Sequence, residues 1–470
     1  MIKYLLNYRS GLFWIVVHII LGILSLLSPF PIIGWFYLSL FSSLWVALRP
    51  KVPLSIYLAM ISYHVSFELL SRMSGTSPYI PYELGKYLFF AFTVFGIVKY
   101  RVSNLPGLWL ILCLIPGLLI DLSGEVNRQD IVFNFLGPLN TGLAVLLFSA
   151  APISKTMLKR ILTVSILPLI SVLCHSFFKA PDLDKVEFGL GANMATSGGF
   201  GSNQVSTGLG LASFLIFIFW INRWRFSGYR WLDTLMMIIF ILQGLLTFSR
   251  GGMVTGFVGI VMVIVFLKRA SPEQSKAFHI PRIGKYLLPA IGLMIGAFYV
   301  VNIITNGMLF LRYQGETTGT MAGNKEKDLN TITSGRLDIF EGDMDLWLEH
   351  PVFGVGVGAS KYLRDKMHNV VAHVEFSRLL AEHGLLGLIY FCLLIYLGIR
   401  LPRSNADPSV VAIVCAFFAV GVFTSFHAAM RTFVSPLTIG LSMIYVRSLV
   451  PRKKTKQLSD LGVNQTLVKL

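Results

Sequence analysis

The stretch T-F-S-R-G-G, residues 247–252, sets one arginine between two apolar runs with almost no loop around it. A helix ending near Phe248 and another starting near Gly251 would make Ser249 an N-cap. The two glycines would allow a tight turn and close backbone approach. The first N–H groups of the following helix would be free, and a free helix N-terminus beside a guanidinium is an anion site. A plainer reading makes Arg250 an interfacial anchor, and on this stretch alone the anchor is favoured. Further on lie S-G-R-L-D-I-F (334–340), W-L-E-H-P-V-F-G-V-G-V-G (347–358) and A-H-V-E-F-S-R-L-L-A-E-H-G-L-L-G (372–387). They carry Arg336, His373 and Glu382. A histidine near neutral pKa is suited to taking a proton from a hydroxyl, although a lone loop histidine also serves structure alone.

His373 is expected to begin an amphipathic segment in which Phe376, Leu379, Leu380 and Leu385 share an apolar face. Glu382 follows His373 by about two and a half helical turns, so the two would not meet on one straight helix. Each would line a pocket completed by other segments. Gly354, Gly356 and Gly358 mimic a nucleotide loop, but no strand and helix frame them, and turn residues are the better reading. His350, His368, His373 and His383 share one loop, yet none has the i, i+4 spacing of a two-histidine metal helix, and no metal site is expected.

These residues sit in a chain built for a bilayer. It has 470 residues, 54% hydrophobic and 13% charged, against about 25% charged in soluble domains. Apolar runs of about 17 residues or more recur throughout, enough to cross a hydrocarbon core of ~30 Å. They lack the alternation of a transmembrane β-barrel. The expected fold is an all-α polytopic membrane protein with about 12–14 transmembrane helices. Spans are read near 11–28, 30–48, 52–70, 85–98, 105–121, 131–151, 158–177, 203–222, 231–248, 251–267, 284–304, 384–399, 409–426 and 433–449. The net charge of +17 does not point to nucleic acid, because the basic residues lie between spans rather than along one soluble face. Cys113, Cys174, Cys392 and Cys415 fall inside apolar runs and imply neither a disulfide framework nor a metal site. The basic-then-apolar N-terminus lacks a small-residue cleavage site and reads as an uncleaved first helix.

The charges set one orientation. With Lys3 and Arg9 in the cytoplasm, each cytoplasmic connection is basic: Arg49/Lys51, Lys99/Arg101, Lys155/Lys159/Arg160, Arg223/Arg225/Arg230, the 268–285 segment, Arg400/Arg403 and the tail. Of the acids, these connections hold only Asp233, Glu273, Asp407 and Asp460; the rest fall on the outer side or at its edge. Both termini are therefore expected in the cytoplasm, with Arg72, Arg128, Arg250, Arg336, Arg431, His373 and Glu382 facing outward. The expected organisation is an N-terminal transmembrane bundle (1–177), helices with the first outer loop and Arg250 (178–304), a large outer loop of several short helices (305–383), C-terminal helices (384–449) and a basic tail (450–470). Few ionisable groups lie mid-membrane, which places the chemistry at the outer interface.

The combination S-R-G-G at the outer end of a span, G-R before a tryptophan, H-P-x-x-G-x-G-x-G, and A-H followed by E-x-G-x-x-G resembles the O-antigen ligase and Wzy-type polysaccharide polymerase superfamily. The motifs cover about residues 193–390. The resemblance implies a GT-C-like fold and an inverting glycosyltransferase of the bacterial inner membrane, with its active site on the periplasmic face and with neither cofactor nor metal. It implies a glycan donor on undecaprenyl diphosphate and a glycan or lipid A-core acceptor. Membrane lipids, a chain-length regulator and a flippase are the further partners it implies. Arg250 and Arg336 would hold the diphosphate. His373 would act as general base, and Glu382, which matches the acidic position of the loop motif, is the second catalytic candidate. Asn203 and Gln204, in G-F-G-S-N-Q-V-S-T, together with Arg431 and His368, are candidates for lining the site. The family's histidine is usually followed by Asn; here Val374 follows His373, and the H-N pair falls at His368-Asn369. The preceding alanine and the spacing to Glu382 favour His373. A polymerase is slightly favoured over a ligase acting on lipid A core or on a protein. A transporter or flippase would need matched broken helices in two halves; Pro116, Pro138, Pro168 and Glu68 do not form such a set. A membrane sensor would not require the two arginines and the histidine.

Overall fold

The computed structural model describes residues 11–150, 152–182, 186–278, 280 and 284–447. Lys3, Arg9, Arg282 and the 450–470 tail, which carry part of the charge-based orientation, lie outside the described residues. The N-terminal part comprises α1 (Gly11–Leu27), α2 (Phe30–Ala47), α3 (Leu54–Ser66), α4 (Glu68–Met73), α5 (Leu84–Tyr100), α6 (Leu105–Leu112) and α7 (Arg128–Ser149). A short strand β1 (Pro152–Ser154) leads into α8 (Lys155–Lys179), α9 (Ser202–Ile221), α10 (Arg230–Leu246) and α11 (Arg250–Lys268). Next come α12 (Pro272–Ala277) and α13 (Gly284–Ile304). The long outer segment folds into α14 (Met308–Tyr313), α15 (Thr318–Met321), α16 (Leu329–Ile332), α17 (Arg336–Glu349), α18 (Ser360–Leu363) and α19 (Glu375–His383). The chain finishes with α20 (Leu385–Arg400), α21 (Pro408–Ala428), α22 (Val434–Ser442) and β2 (Tyr445–Arg447).

Among the described residues nine helices are long and apolar enough to cross a membrane, and the chain is an all-α polytopic membrane protein. Each expected span has a helix within it, but the last is cut short. Between 433 and 449 the helix stops at Ser442 and the chain turns into β2, which pairs in parallel with β1. Nine residues rise only about 13 Å, so α22 is a buried core helix and not a full crossing. Its hydroxyls at Thr438 and Ser442 bond back to its own carbonyls, which satisfies polar groups in an apolar interior.

Local signals place the helix starts. Asn104, Asn127, Ser154 and Asp407 each accept from a first-turn N–H of α6, α7, α8 and α21, as N-caps do. The centre of the bundle is α9, buried on nearly all sides, with α8 and α21 beside it. α9 and α11 cross at glycines. A Cβ on Gly252 would lie 2.3 Å from the Thr207 nitrogen, one on Gly210 2.3 Å from the Gly252 oxygen, and one on Gly256 2.5 Å from the Gly210 oxygen. This is small-residue packing at four-residue spacing, which lets two backbones touch. α2 and α13 leave most of their apolar surface open.

One end of the bundle gathers basic connections. Lys99 donates to the carbonyls of Ala47 and Arg49, Lys155 pairs with Asp407, and the β1–β2 pair is pinned by Asn405 on the Val446 N–H. The opposite end gathers the starts of α7, α9 and α11, the ends of α10 and α21, and the outer helices.

The outer helices are held by buried ion pairs. Arg378 lies between Glu375 and Glu382 on α19 and also donates to the Asn134 carbonyl at 2.9 Å. Arg364 pairs with Asp343, which accepts from Ser377 at 2.8 Å. The glycine-rich segment threads between α19 and residues 117–122. Val355 N–H donates to the Ala381 carbonyl, Val357 N–H to that of Gly117, and Leu122 N–H to that of Val355. Gly356, at φ +100°, passes so close to Ile120 that a Cβ would sit 1.9 Å from its oxygen. These glycines serve chain turning and close contact, as the sequence led us to expect.

Candidate active site

Arg250 opens α11 at its first position, and Ser249 occupies the N-cap position with extended φ and ψ. Its hydroxyl does not cap the helix but donates to Asn203 Oδ1 at 3.2 Å. No side chain therefore caps the first turn of α11, whose N–H groups favour negative charge. The turn before it is made not by the glycines but by Phe248, at φ +56°. Gly251 and Gly252 do different work. Gly252 seats α9, and a Cβ on Gly251 would lie 2.7 Å from the His427 ring. The glycines therefore provide the close approach expected of them, whereas the tight turn is made by Phe248.

Four guanidinium groups converge at this end of the bundle. Arg250 donates to the carbonyls of Arg312 (3.1 Å) and Ile332 (2.6 Å), which ties α11 to α14 and α16. Arg431, in the connection between α21 and α22, donates to the carbonyls of Val371 and Ala372 at 2.9 and 2.6 Å. It thereby holds the segment that ends in His373. Arg336 opens α17 after Ser334 and Gly335, both at positive φ. Among the described residues its guanidinium makes no hydrogen bond. None of Arg250, Arg312, Arg336 and Arg431 forms an ion pair with a carboxylate among the described residues. Burial, followed by the charges of Arg250 and Arg336, pushes the Arg312 guanidinium down to about 10. Burial also pushes Arg431 down to about 10, with Arg378 and Arg336 adding to it. Burial and Arg250 lower Arg336. Like charges packed together, with only Arg431 facing carboxylates (Glu375 and Glu83), favour a bound anion.

His373 belongs to this cluster. It precedes α19 rather than beginning it, because Val374 is extended and the helix starts at Glu375. The His373 carbonyl accepts from Ala429 N–H at 2.9 Å, and Nδ1 is buried without a hydrogen-bond partner among the described residues. Burial, with Arg431, Arg336 and His427 beside it, holds the imidazole down at about 3. Asn203 also joins the cluster, through Ser249 and His427.

Other expected residues fall elsewhere. Glu382 is fully buried, with Arg378 on one oxygen at 2.6 Å and Ser360 on the other at 3.0 Å; it braces the outer helices. Gln204 accepts from Arg72 at 2.7 Å within a charge-balanced network of Glu68, Arg72, Glu83 and Lys86. That network abuts the cluster at the Phe133 ring, with Lys86 at 4.1 Å and Arg431 at 5.8 Å from its centroid. His368 and His350 are exposed, and His383 packs against Gly117. No group of three or more His, Cys, Asp or Glu able to hold a metal ion occurs among the described residues.

Two members of the cluster were missed in the sequence, Arg312 and His427. Arg312 stands alone in the apolar turn M-L-F-L-R-Y, and His427 ends a span four residues before Arg431. Beside the cluster runs an apolar groove of about 250 Å³, lined by Met253, Val254, Phe257, Ile260, Met294 and Phe298. Tyr313 also lines it and lies in electrostatic contact with Arg250 and Arg312.

Fold and site together define a multi-span helical membrane protein with a cationic, histidine-containing site at one end of its bundle. Residues 235–392 match the family model described as O-antigen ligase, which supports a likeness of this part of the chain to the O-antigen ligase/Wzy superfamily. The matched segment contains Arg250, Arg312, Arg336 and His373, whereas Asn203, His427 and Arg431 lie outside it. The match supports, at a coarse level, a glycosyltransferase-type enzyme with lipid-linked glycan and acceptor substrates. No curated protein and no solved structure matches the chain.

Proposed function

We propose that this protein transfers a glycan from undecaprenyl diphosphate to an acceptor hydroxyl at the periplasmic face of the bacterial inner membrane. The observation that carries this reading is the gathering of four arginines, none in an ion pair with a carboxylate among the described residues, with Arg336 and Arg431 beside His373. The diphosphate lies between Arg250, Arg312, Arg336 and Arg431 at the uncapped start of α11, and the polyprenyl chain lies along the apolar groove below Arg250. The acceptor oxygen bonds to the anomeric carbon as the bond from that carbon to the phosphate oxygen breaks. The electron pair leaves with the diphosphate, where the arginines stabilise the growing charge. His373 takes the hydroxyl proton and passes it to water. Attack opposite the leaving group inverts the anomeric centre. Neither cofactor nor metal takes part in this scheme.

The cations explain how such a base is controlled. With the site empty, burial first and the cations second hold His373 too low to be an effective proton acceptor. A bound diphosphate offsets their charge and lets the imidazole rise toward neutrality. The preferred acceptor is a second lipid-linked repeat unit, which makes the protein a polymerase; ligation to lipid A core uses the same chemistry. The test is the purified protein in vesicles with lipid-linked repeat units and, separately, lipid A core. Longer glycan with release of undecaprenyl diphosphate is expected from the repeat units, and its loss in His373→Ala. Full turnover in His373→Ala overturns the role of the base. No transfer to either acceptor overturns the reading.

A further inference from the structure

His427 is buried at the end of α21, and its ring is oriented by a side chain whose own orientation is set by the backbone. Asn203 Nδ2 donates to the His427 carbonyl oxygen at 3.2 Å. A carbonyl can only accept, so the amide cannot be turned the other way. Asn203 Oδ1 then faces both the Ser249 hydroxyl and His427 Nδ1, each at 3.2 Å. An amide oxygen also only accepts, so Nδ1 carries the proton and Nε2 of the neutral ring carries the lone pair. That Nε2 is buried and has no hydrogen-bond partner among the described residues. A buried acceptor without a donor is disfavoured in a protein that has no use for it.

Its surroundings indicate which donor it awaits. The ring sits on Gly251, the residue after Arg250, where a Cβ would come within 2.7 Å of it. Arg336 is in electrostatic contact with it, and so is His373. Arginines offer only donors, so among these groups an acceptor nitrogen is the feature that can take a sugar hydroxyl. In the donor named above, the group joined to the diphosphate is the first sugar.

We propose that His427, held by Asn203, recognises the first sugar of the donor by accepting a hydrogen bond at Nε2 from a hydroxyl or amide N–H of that sugar. The proposal rests on the reading of the arginines as the diphosphate site. His427 contacts substrate and Asn203 is a positioning residue.

The test compares two probes on the full-length protein in nanodiscs: undecaprenyl diphosphate, and the glycosylated carrier extracted from the native cells. Wild type is expected to bind the glycosylated carrier more tightly. His427→Phe keeps a ring on Gly251 and removes Nε2. It is expected to bind the bare carrier as wild type does and to lose the sugar preference by about tenfold or more. Asn203→Leu should lose the same preference, whereas Asn203→Asp keeps an oxygen for the Nδ1 proton and should retain most of it. Full sugar preference in His427→Phe overturns the proposal, as does an equal loss for both probes, which would make His427 a packing residue. Failure of the wild type to bind the bare carrier, or bare-carrier binding indifferent to Arg336→Gln, refutes the diphosphate site instead.

Discussion

At the scale of single residues, the informative feature is what the charged groups lack. Arg378 has two carboxylates, whereas Arg250, Arg312, Arg336 and Arg431 have carbonyl partners or none among the described residues. A cation kept half-buried without an anion is expected to meet one from outside the chain. His373 reports on that arrangement. With its folded value near 3, the free protein carries it neutral at any working pH. The kcat/KM profile, which reports the free enzyme, should therefore show no fall from this group between about pH 8 and 5. Arg431→Gln removes one neighbouring cation and raises the histidine. Protonation of the proposed base then sets in at a higher pH than in the wild type, so its acidic limb should move upward, while KM for the donor rises. A variant profile that keeps the wild-type shape would show that Arg431 does not act on His373 through charge.

At the scale of elements, α19 is the piece that follows and positions His373, the proposed base, and its buried ion pairs lock it in place. Glu375 pairs with Arg378 and also accepts from the Met430 N–H at 3.0 Å, so one carboxylate joins the start of α19, just after His373, to the loop bearing Arg431. Arg378→Met would leave Glu375 and Glu382 buried without their cation. The outer helices should lose about 3–5 kcal/mol, read as earlier proteolysis of the 305–383 region and a lower unfolding temperature. Adding Glu375→Gln and Glu382→Gln should restore part of it, because the uncompensated charge is what destabilises. Glu382 is prominent in sequence for the same reason that it is buried in structure: it braces α19 and the glycine-rich segment rather than touching the cluster.

At the scale of the whole molecule, the two ends of the bundle differ in chemistry. One end carries the basic connections and the β1–β2 clasp, and the other carries the cluster and the outer helices. In the proposed orientation the charge bias places the basic end in the cytoplasm. A cysteine at exposed Lys325 is therefore expected to react with an impermeant reagent in cells whose outer membrane alone is opened. Reaction only after the inner membrane is broken would invert the topology and move the site to the cytoplasmic side.

The sequence by itself indicated the class of fold, the helical outer segment and five members of the cluster, Arg250, Arg336, His373, Arg431 and Asn203. Each of these is a local property. A helix in lipid satisfies its own backbone, so apolar length reveals it without reference to the rest of the chain, and the motif residues stand close to one another in sequence. Only the tertiary structure decided the rest. Arg312 and His427 join the cluster because α11, α14 and α21 meet there, a packing of remote segments that no local pattern encodes. Glu382 leaves it because a buried carboxylate goes to the nearest cation, and Arg378 lies one helical turn away. The glycines after Arg250 read as room for a ligand, but helix crossing used that room for α9 and for the His427 ring. Small residues announce close approach, and only the packed bundle says what approaches.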